Sequence, residues 1–128
     1  MVVYVPGRGD FIVISFNPQA GHEQAGRRTG IVLSPKAFNE LTGFVVVCPI
    51  TNQRKGYPYE VELPAEGISF GTDGTPVTGV ILTDQIKSLD WRARNLKLLA
   101  QYEPAHPQIQ QWDDIVEDCL AKVHTYLA

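Results

Sequence analysis

Within residues 21–35, GHEQAGRRTGIVLSP, a carboxylate (Glu23) and two guanidinium groups (Arg27 and Arg28) crowd a glycine-rich loop at the mouth of an apolar run. More polar groups gather beside two other apolar runs. Thr51 leads TNQRKG (51–56), which also holds Asn52, Arg54 and Lys55, and TDQIK (83–87) supplies Asp84, Gln85 and Lys87. A carboxylate can take a proton, and a guanidinium can neutralise the charge that grows on a phosphate. Loops at the ends of neighbouring strands could bring such groups together. The set would then suit internal transfer of an RNA phosphate to its own 2′-hydroxyl, a reaction that needs no metal. On spacing alone, the commoner explanation of a Glu–Arg loop is solvated surface or a structural ion pair. The residue types leave both readings open.

Other chemistries are poorly supplied. His22, His106 and His124 stand in no ligand spacing, and the His22-Glu23 pair has no second histidine on a helix, so neither a metal site nor a cofactor is expected. Cys48 and Cys119 lie 71 positions apart with no paired spacing. Each reads as a buried free thiol in a reducing cytoplasm rather than as part of a disulfide scaffold or zinc knuckle. There is no GxSxG elbow, and the glycines of 21–30 match neither a phosphate-binding P-loop nor a dinucleotide fingerprint.

The elements that must position these groups follow from periodicity. DFIVISF (10–16) is a buried strand ended by Asn17-Pro18, and TGIVLS (29–34) is a second. Ser34 as N-cap with Pro35 at the first helical position opens a short helix through Leu41, closed by Gly43. FVVVCPI (44–50) is a third strand, buried on both faces. YPYEVEL (57–63) alternates as a half-exposed strand that includes Tyr57 and Tyr59, and the glycine- and proline-rich 64–79 reads as a hairpin or mobile loop. VILTDQIKSL (80–89) resumes strand character, and RNLKLLA (94–100) is one more strand or a short helix. Ile109, Trp112, Val116, Cys119, Leu120, Val123 and Leu127 then keep helical spacing, which predicts a C-terminal helix over about 107–127. The expected fold is mostly β, an antiparallel barrel-like sheet with a covering helix in one domain over 1–128.

The 128 residues carry a net charge of −3, with ordinary apolar (44%) and charged (20%) content. The acidity is uneven. Residues 1–100 hold ten Lys/Arg against nine Asp/Glu, whereas 101–128 hold one against five. A cationic surface in the body is therefore compatible with nucleic acid despite the net sign. No apolar run approaches the ~20 residues of a membrane span, and MVVYVPGRGD lacks the pattern of a signal peptide, so a cytoplasmic protein without membrane contact is expected. Trp91 within DWRAR (90–94) has the aromatic–arginine make-up of an interface hot spot, with core packing or base stacking as alternatives.

The order and spacing of YVPGRGDFIVISFNP (4–18), GHEQAGRRTGIVLSP (21–35), VCPIT (47–51), KGYPYEVEL (55–63) and TDQIKSLDWRAR (83–94) resemble the MazF/PemK-type toxins of bacterial type II toxin–antitoxin pairs, sequence-specific endoribonucleases also called mRNA interferases. The resemblance runs from about residue 4 to 95. It implies an SH3-like barrel of antiparallel strands, a homodimer, a single-stranded RNA substrate and a cognate antitoxin whose acidic flexible segment lies over the basic loops. Glu23, Arg28 and Thr51 fall on the family's catalytic positions. Gln24, Arg27, Asn52, Arg54, Lys55, Asp84, Gln85 and Lys87 fall on the loops used for RNA. Two departures stand out. Arg28 is followed by Thr29 where many relatives have proline, and Leu82 with Asp84 stands where the PemK-like branch uses an arginine and an aspartate, so the N-terminal loop must carry the reaction. A related fold, that of the gyrase-poisoning CcdB toxins, ends in Trp-Gly-Ile. This chain ends in TYLA, which argues against that activity and against a non-catalytic binding barrel of that kind.

Overall fold

A computed structural model describes residues 4–17, 21, 26–69 and 75–127. Its first two strands, β1 (Phe11–Ser15) and β2 (Arg27–Val32), form an antiparallel pair in which Ser15 faces Arg27 and Phe11 faces Ile31. After β2 the chain makes a short helix, α1 (Lys36–Thr42), then the longest strand, β3 (Phe44–Thr51). β4 (Glu60–Glu62), β5 (Val80–Leu82), a 3₁₀ turn (Thr83–Gln85), β6 (Lys87–Asp90), β7 (Lys97–Ala100) and the helix α2 (Ile109–Leu127) follow.

β3 organises the sheet because it changes partners along its length. Phe44–Val47 pair with β6, Val47–Pro49 with β2, and Ile50–Thr51 with β5. The resulting order is β4-β5-β3-β2-β1-β7, with β6 also on β3 and every pairing antiparallel. A sheet handed from one partner to the next in this way wraps around a core, as the expected SH3-like barrel requires, although the hydrogen-bonded path runs from β4 to β7 without returning. The wrapped core joins Phe11, Ile31, Cys48, Val61, Ile81 and Ala100 of six strands to Trp112, Val116 and Cys119 of α2. A second cluster, including Ile12, Ile14, Val32, Val47 and Trp91, fills the opposite face. Burial on both faces explains why β1 and β3 are almost unbroken apolar runs.

Trp112 locks α2 to the sheet. It is wholly buried, stacks at 5.4 Å from the Phe11 ring, and donates its indole N–H to Gly9 O at 2.7 Å. Beside it, the buried Asp10 carboxylate accepts hydrogen bonds from the N–H groups of Gly7 (2.9 Å) and Tyr102 (2.8 Å) and from the Tyr4 hydroxyl. Burial, followed by that bond to Asp10, pushes the Tyr4 phenol well above its ordinary pKa.

Four local expectations need correction. Ser34 does not cap α1. Its hydroxyl donates to Asn39 Oδ1 (2.5 Å) and accepts from Val46 N–H (2.8 Å), and Pro35 holds the N-cap position without a side-chain bond. The left-handed Gly43 ends the helix as expected. The strand expected over 57–63 shrinks to Glu60–Glu62, because Tyr57 and Tyr59 belong to a turn. The run 80–89 is broken by the 3₁₀ turn into β5 and β6. α2 starts at Ile109 rather than 107, and RNLKLLA supplies a strand, β7.

Candidate functional site

The end of the sheet opposite Asp10 gathers most of the polar residues singled out from the sequence. β1 hands over to β2 through a neck in which Phe16 N–H donates to Gly26 O (2.8 Å) and Gly26 N–H to Asn17 Oδ1 (2.9 Å). Arg94, from the DWRAR segment, clamps this neck with hydrogen bonds from its guanidinium to the carbonyls of Ser15 (3.2 Å) and Asn17. Glu23, Gln24 and His22 lie outside the described residues. Arg27 and Arg28 open β2 and are exposed, in register with Ser15 and Ile14 of β1.

β2 and β3 are last paired at Gly30 and Pro49. Pairing stops there, and Ile50–Thr51 go on to pair with β5; Arg28 and Thr51 both lie beyond the last β2–β3 pair, at the same end of the sheet. Thr51 Oγ accepts the N–H of Gln53 at 3.1 Å, which turns the chain and leaves the hydroxyl its own proton to donate. The backbone here tolerates no bulk. Gly79, at φ +113°, lies so close that a Cβ would stand 2.4 Å from Thr51 O and 3.0 Å from Asn52 Oδ1. Thr78 Oγ donates to the same Asn52 oxygen at 3.3 Å. Gly79 therefore lets β5 press against the end of β3 and fixes where Thr51 and Asn52 sit.

Two clefts flank this point. One, of about 410 Å³, is bounded by Val13, Thr29, Ile50, Asn52, Thr78 and Leu99 among others. The other, of about 260 Å³, brings Thr51, Lys55, Tyr57, Glu60, Asp84 and Gln85 together. The loop between β3 and β4 is shaped by Glu60, whose carboxylate accepts from the N–H groups of Lys55 (3.0 Å) and Gly56 (3.1 Å). Lys55 Nζ lies 5.8 Å from the Tyr57 ring centroid, and Arg54 Nε is paired with Glu62 Oε1 at 2.5 Å. Lys87 is not brought to this cleft. It pairs with Val47 on β6, four residues back along β3 from Thr51.

Glu60 and Gly79 were not singled out from the sequence. The signal for Gly79 is its place between a loop and an apolar strand. For Glu60 there was none, since a carboxylate that holds backbone N–H groups looks like any strand-edge glutamate. Tyr57 was read as a half-buried strand residue and is an exposed turn residue that borders the cleft.

The thiols are not nucleophiles. Burial first, with the Asp84 charge adding, pushes Cys48 up to about 12, and burial likewise raises Cys119, so both stay protonated and free. His106 packs edge-on against Trp112 and contacts Ser69 O, a structural role. Among the described residues no group of three or more His, Cys, Asp or Glu could hold a metal, and no helix is long and apolar enough to cross a membrane. Trp91, considered above for an interface, is buried within one chain, with its indole N–H on Asn39 O (2.9 Å) and Arg92 over its ring.

Residues 7–116 match the model of a family described as the PemK-like, MazF-like toxin of type II toxin–antitoxin systems. The endoribonuclease toxin MazF of Escherichia coli K12 is 42% identical over 106 residues, covering 83% of this chain and 87% of the relative. The endoribonuclease PemK of Escherichia coli is 37% identical over 95 residues, covering 72% and 66%. Among solved structures, MazF of Deinococcus radiodurans superposes with a TM-score of 0.78 at 42% identity, and a MazE–MazF structure from the same organism with 0.71 at 36%, each covering 98% of both chains.

Proposed function

The chain belongs to the PemK-like, MazF-like toxin family and is an endoribonuclease of it; from that premise we propose that it cuts single-stranded RNA without a metal, using Glu23, Arg28 and Thr51. The observation that carries this reading is that Arg28 and Thr51 both lie beyond the last β2–β3 pair at the same end of the sheet, with Thr51 bordering a cleft that holds Lys55 and the amides of Gln53 and Gln85.

In this mechanism the ribose 2′-oxygen attacks the adjacent phosphorus and the bond to the 5′-oxygen breaks. The departing 5′-oxygen takes a proton from water, so the products are a 2′,3′-cyclic phosphate and a 5′-hydroxyl. Glu23 orients the 2′-hydroxyl or takes its proton. Arg28 meets the extra negative charge on the phosphoryl oxygens, where a forked guanidinium can contact two of them. Arginine keeps its proton throughout, so its role is electrostatic. Thr51 donates its hydroxyl proton to a phosphate oxygen. Gln24, Arg27, Asn52, Arg54, Lys55, Asp84 and Gln85 line the approach of the strand, while Lys87 contributes charge from the start of β6.

A cognate antitoxin is the natural partner of such a toxin. It would lay an acidic flexible segment over the same cations, so that binding silences cleavage. The active form would be a homodimer in the cytoplasm, and the buried free thiols suit a reducing compartment. The test is to incubate the protein with a long RNA in EDTA and map the fragment ends. Cyclic phosphate and 5′-hydroxyl ends at full rate are expected. A requirement for magnesium, or 5′-phosphate ends, would overturn the mechanism.

A further inference from the structure

The family match ends at residue 116, but α2 continues to Leu127, and its last turn reaches Thr83 and Tyr59, next in sequence to residues that line the second cleft. Tyr126 donates its hydroxyl to Thr83 O at 2.5 Å. Its ring stands edge-on to Tyr59, with centroids 5.8 Å apart at 77°. Thr83 is wholly buried and bonds back to Tyr59, whose carbonyl accepts both the Thr83 N–H (3.3 Å) and the Thr83 hydroxyl (2.5 Å). Tyr59, Thr83 and Tyr126 thus close a triangle, and Val123, one turn back on α2, is buried and anchors the third corner. The residues directly after Thr83 are Asp84 and Gln85, which border the cleft with Thr51, Lys55, Tyr57 and Glu60. Burial, with Cys48 and then the Asp84 charge adding, raises the Tyr126 phenol, so it remains a proton donor at any ordinary pH.

We propose that Tyr126 is a positioning residue for the RNA strand: by pinning Thr83 it sets how Asp84 and Gln85 meet the bases in the cleft, and so governs substrate affinity rather than the chemical step. The proposal rests on the reading of this cleft as the RNA groove. Its logic is geometric. Arg28 and Thr51 sit on β2 and β3, which α2 reaches only through the core, whereas the 3₁₀ turn is short, follows a three-residue strand and has Tyr126 as a direct brace. Removing a bond that braces a short turn loosens it.

The experiment measures cleavage of an RNA oligonucleotide containing one mapped site, with wild type, Tyr126→Phe and Tyr126→Ala, alongside the thermal midpoint of each. Binding of the same oligonucleotide is measured in an Arg28→Ala background with and without Tyr126→Phe. Loss of one neutral hydrogen bond should raise KM by about 2–10-fold in Tyr126→Phe and weaken binding by the same factor. kcat should stay within about twofold. Tyr126→Ala should raise KM further, because the ring contact with Tyr59 goes too. If Tyr126→Ala fails to fold, Tyr126→Phe and the binding measurement decide. An unchanged KM and affinity in Tyr126→Phe, or a fall in kcat at constant KM as misfolding would produce, overturns the brace alone. A wild-type protein that neither cleaves nor binds RNA overturns the proposed function and the brace with it.

Discussion

The two ends of the β1–β2 pair both carry charge, under opposite conditions. At the end where β1 begins and β2 finishes, Asp10 is buried and surrounded by donors from Tyr4, Gly7 and Tyr102, with Trp112 sealing the adjacent Gly9 carbonyl. At the other end, Arg27 and Arg28 stand exposed, and Thr51 at the end of β3 borders one of two clefts. A buried carboxylate whose donors all come from the fold has no capacity left for a ligand, and its geometry serves stability. Exposed guanidinium groups keep their charge in contact with solvent, where a polyanion can reach them. One strand pair therefore carries a buried carboxylate bonded by its own fold at one end and exposed guanidinium groups at the other.

This division gives the largest expected effects. Trp112→Ala should cost about 3–5 kcal/mol of stability, since it empties a wholly buried site and leaves the Gly9 carbonyl unpaired. The folded fraction should keep near-normal kcat. Arg28→Ala should do the converse and lose about 10²–10³ in cleavage rate with a thermal midpoint close to wild type. Arg28→Lys should recover little, because an ammonium lacks the fork. Paired thermal melts and single-turnover rates read both quantities. If Arg28→Ala destabilised as Trp112→Ala does, or Trp112→Ala lost rate per folded molecule, the separation of the two ends would be wrong.

Gly79 lies where the two roles touch, and its substitution should have a smaller, mixed effect. A methyl at Gly79 would meet Thr51 O at 2.4 Å, and alanine is strained at φ +113°. Gly79→Ala should cost about 1–3 kcal/mol through overpacking and push the end of β3 aside. A shift of about 1 Å in a reacting group can cost up to ~10² in rate, so kcat should fall by roughly ten- to a hundredfold in the molecules that fold. A variant that lost stability but kept full kcat would show that Thr51 is not part of the chemistry.

Much of this was legible in the chain. The strands at 11–15 and 44–51 are visible because burial on both faces leaves unbroken apolar runs, and the α2 face from Ile109 to Val123 is visible by its period. What escaped depends on long-range bonds. β2 begins at Arg27, two residues before any apolar signal, because Ser15 and Ile14 pair with the two arginines. Ser34 has the composition of a cap but spends its hydroxyl on Asn39 and Val46, which lie within its own fold layer rather than on the helix N-terminus. Trp91 has the composition of an interface anchor because arginines accompany it in DWRAR, yet its indole packs in the second core cluster and bonds to Asn39 O. The site fared similarly. Residue type picked out Arg28 and Thr51, and resemblance gave them roles, but only pairing shows that both lie beyond the last β2–β3 pair at the same end of the sheet. Glu60 was invisible because its partners are backbone N–H groups, which no sequence pattern marks.

The smallest expected effect tests whether the open end really meets a polyanion. Arg54 and Lys55 are neighbours in sequence and look equivalent there. In the fold Arg54 is held by Glu62 at 2.5 Å, whereas the Lys55 ammonium lies over the Tyr57 ring at the cleft. That exposed ion pair contributes at most about 1 kcal/mol to stability, so replacing either cation should leave the fold intact. Their value to RNA should differ, because Arg54 must exchange one anion for another while Lys55 gains a phosphate outright. Each phosphate contact on a single strand contributes about 0.7 to the slope of log affinity against log salt. Lys55→Gln should therefore reduce that slope by about 0.7, and Arg54→Gln by clearly less. Glu62→Gln should release Arg54 and strengthen RNA binding at low salt. Fluorescence anisotropy of a labelled RNA across a salt series, in the Arg28→Ala background to prevent cleavage, separates the three. A slope that falls as far with Arg54→Gln as with Lys55→Gln would mean that the pair with Glu62 does not persist when RNA is bound, and that the β3–β4 loop reshapes around its ligand.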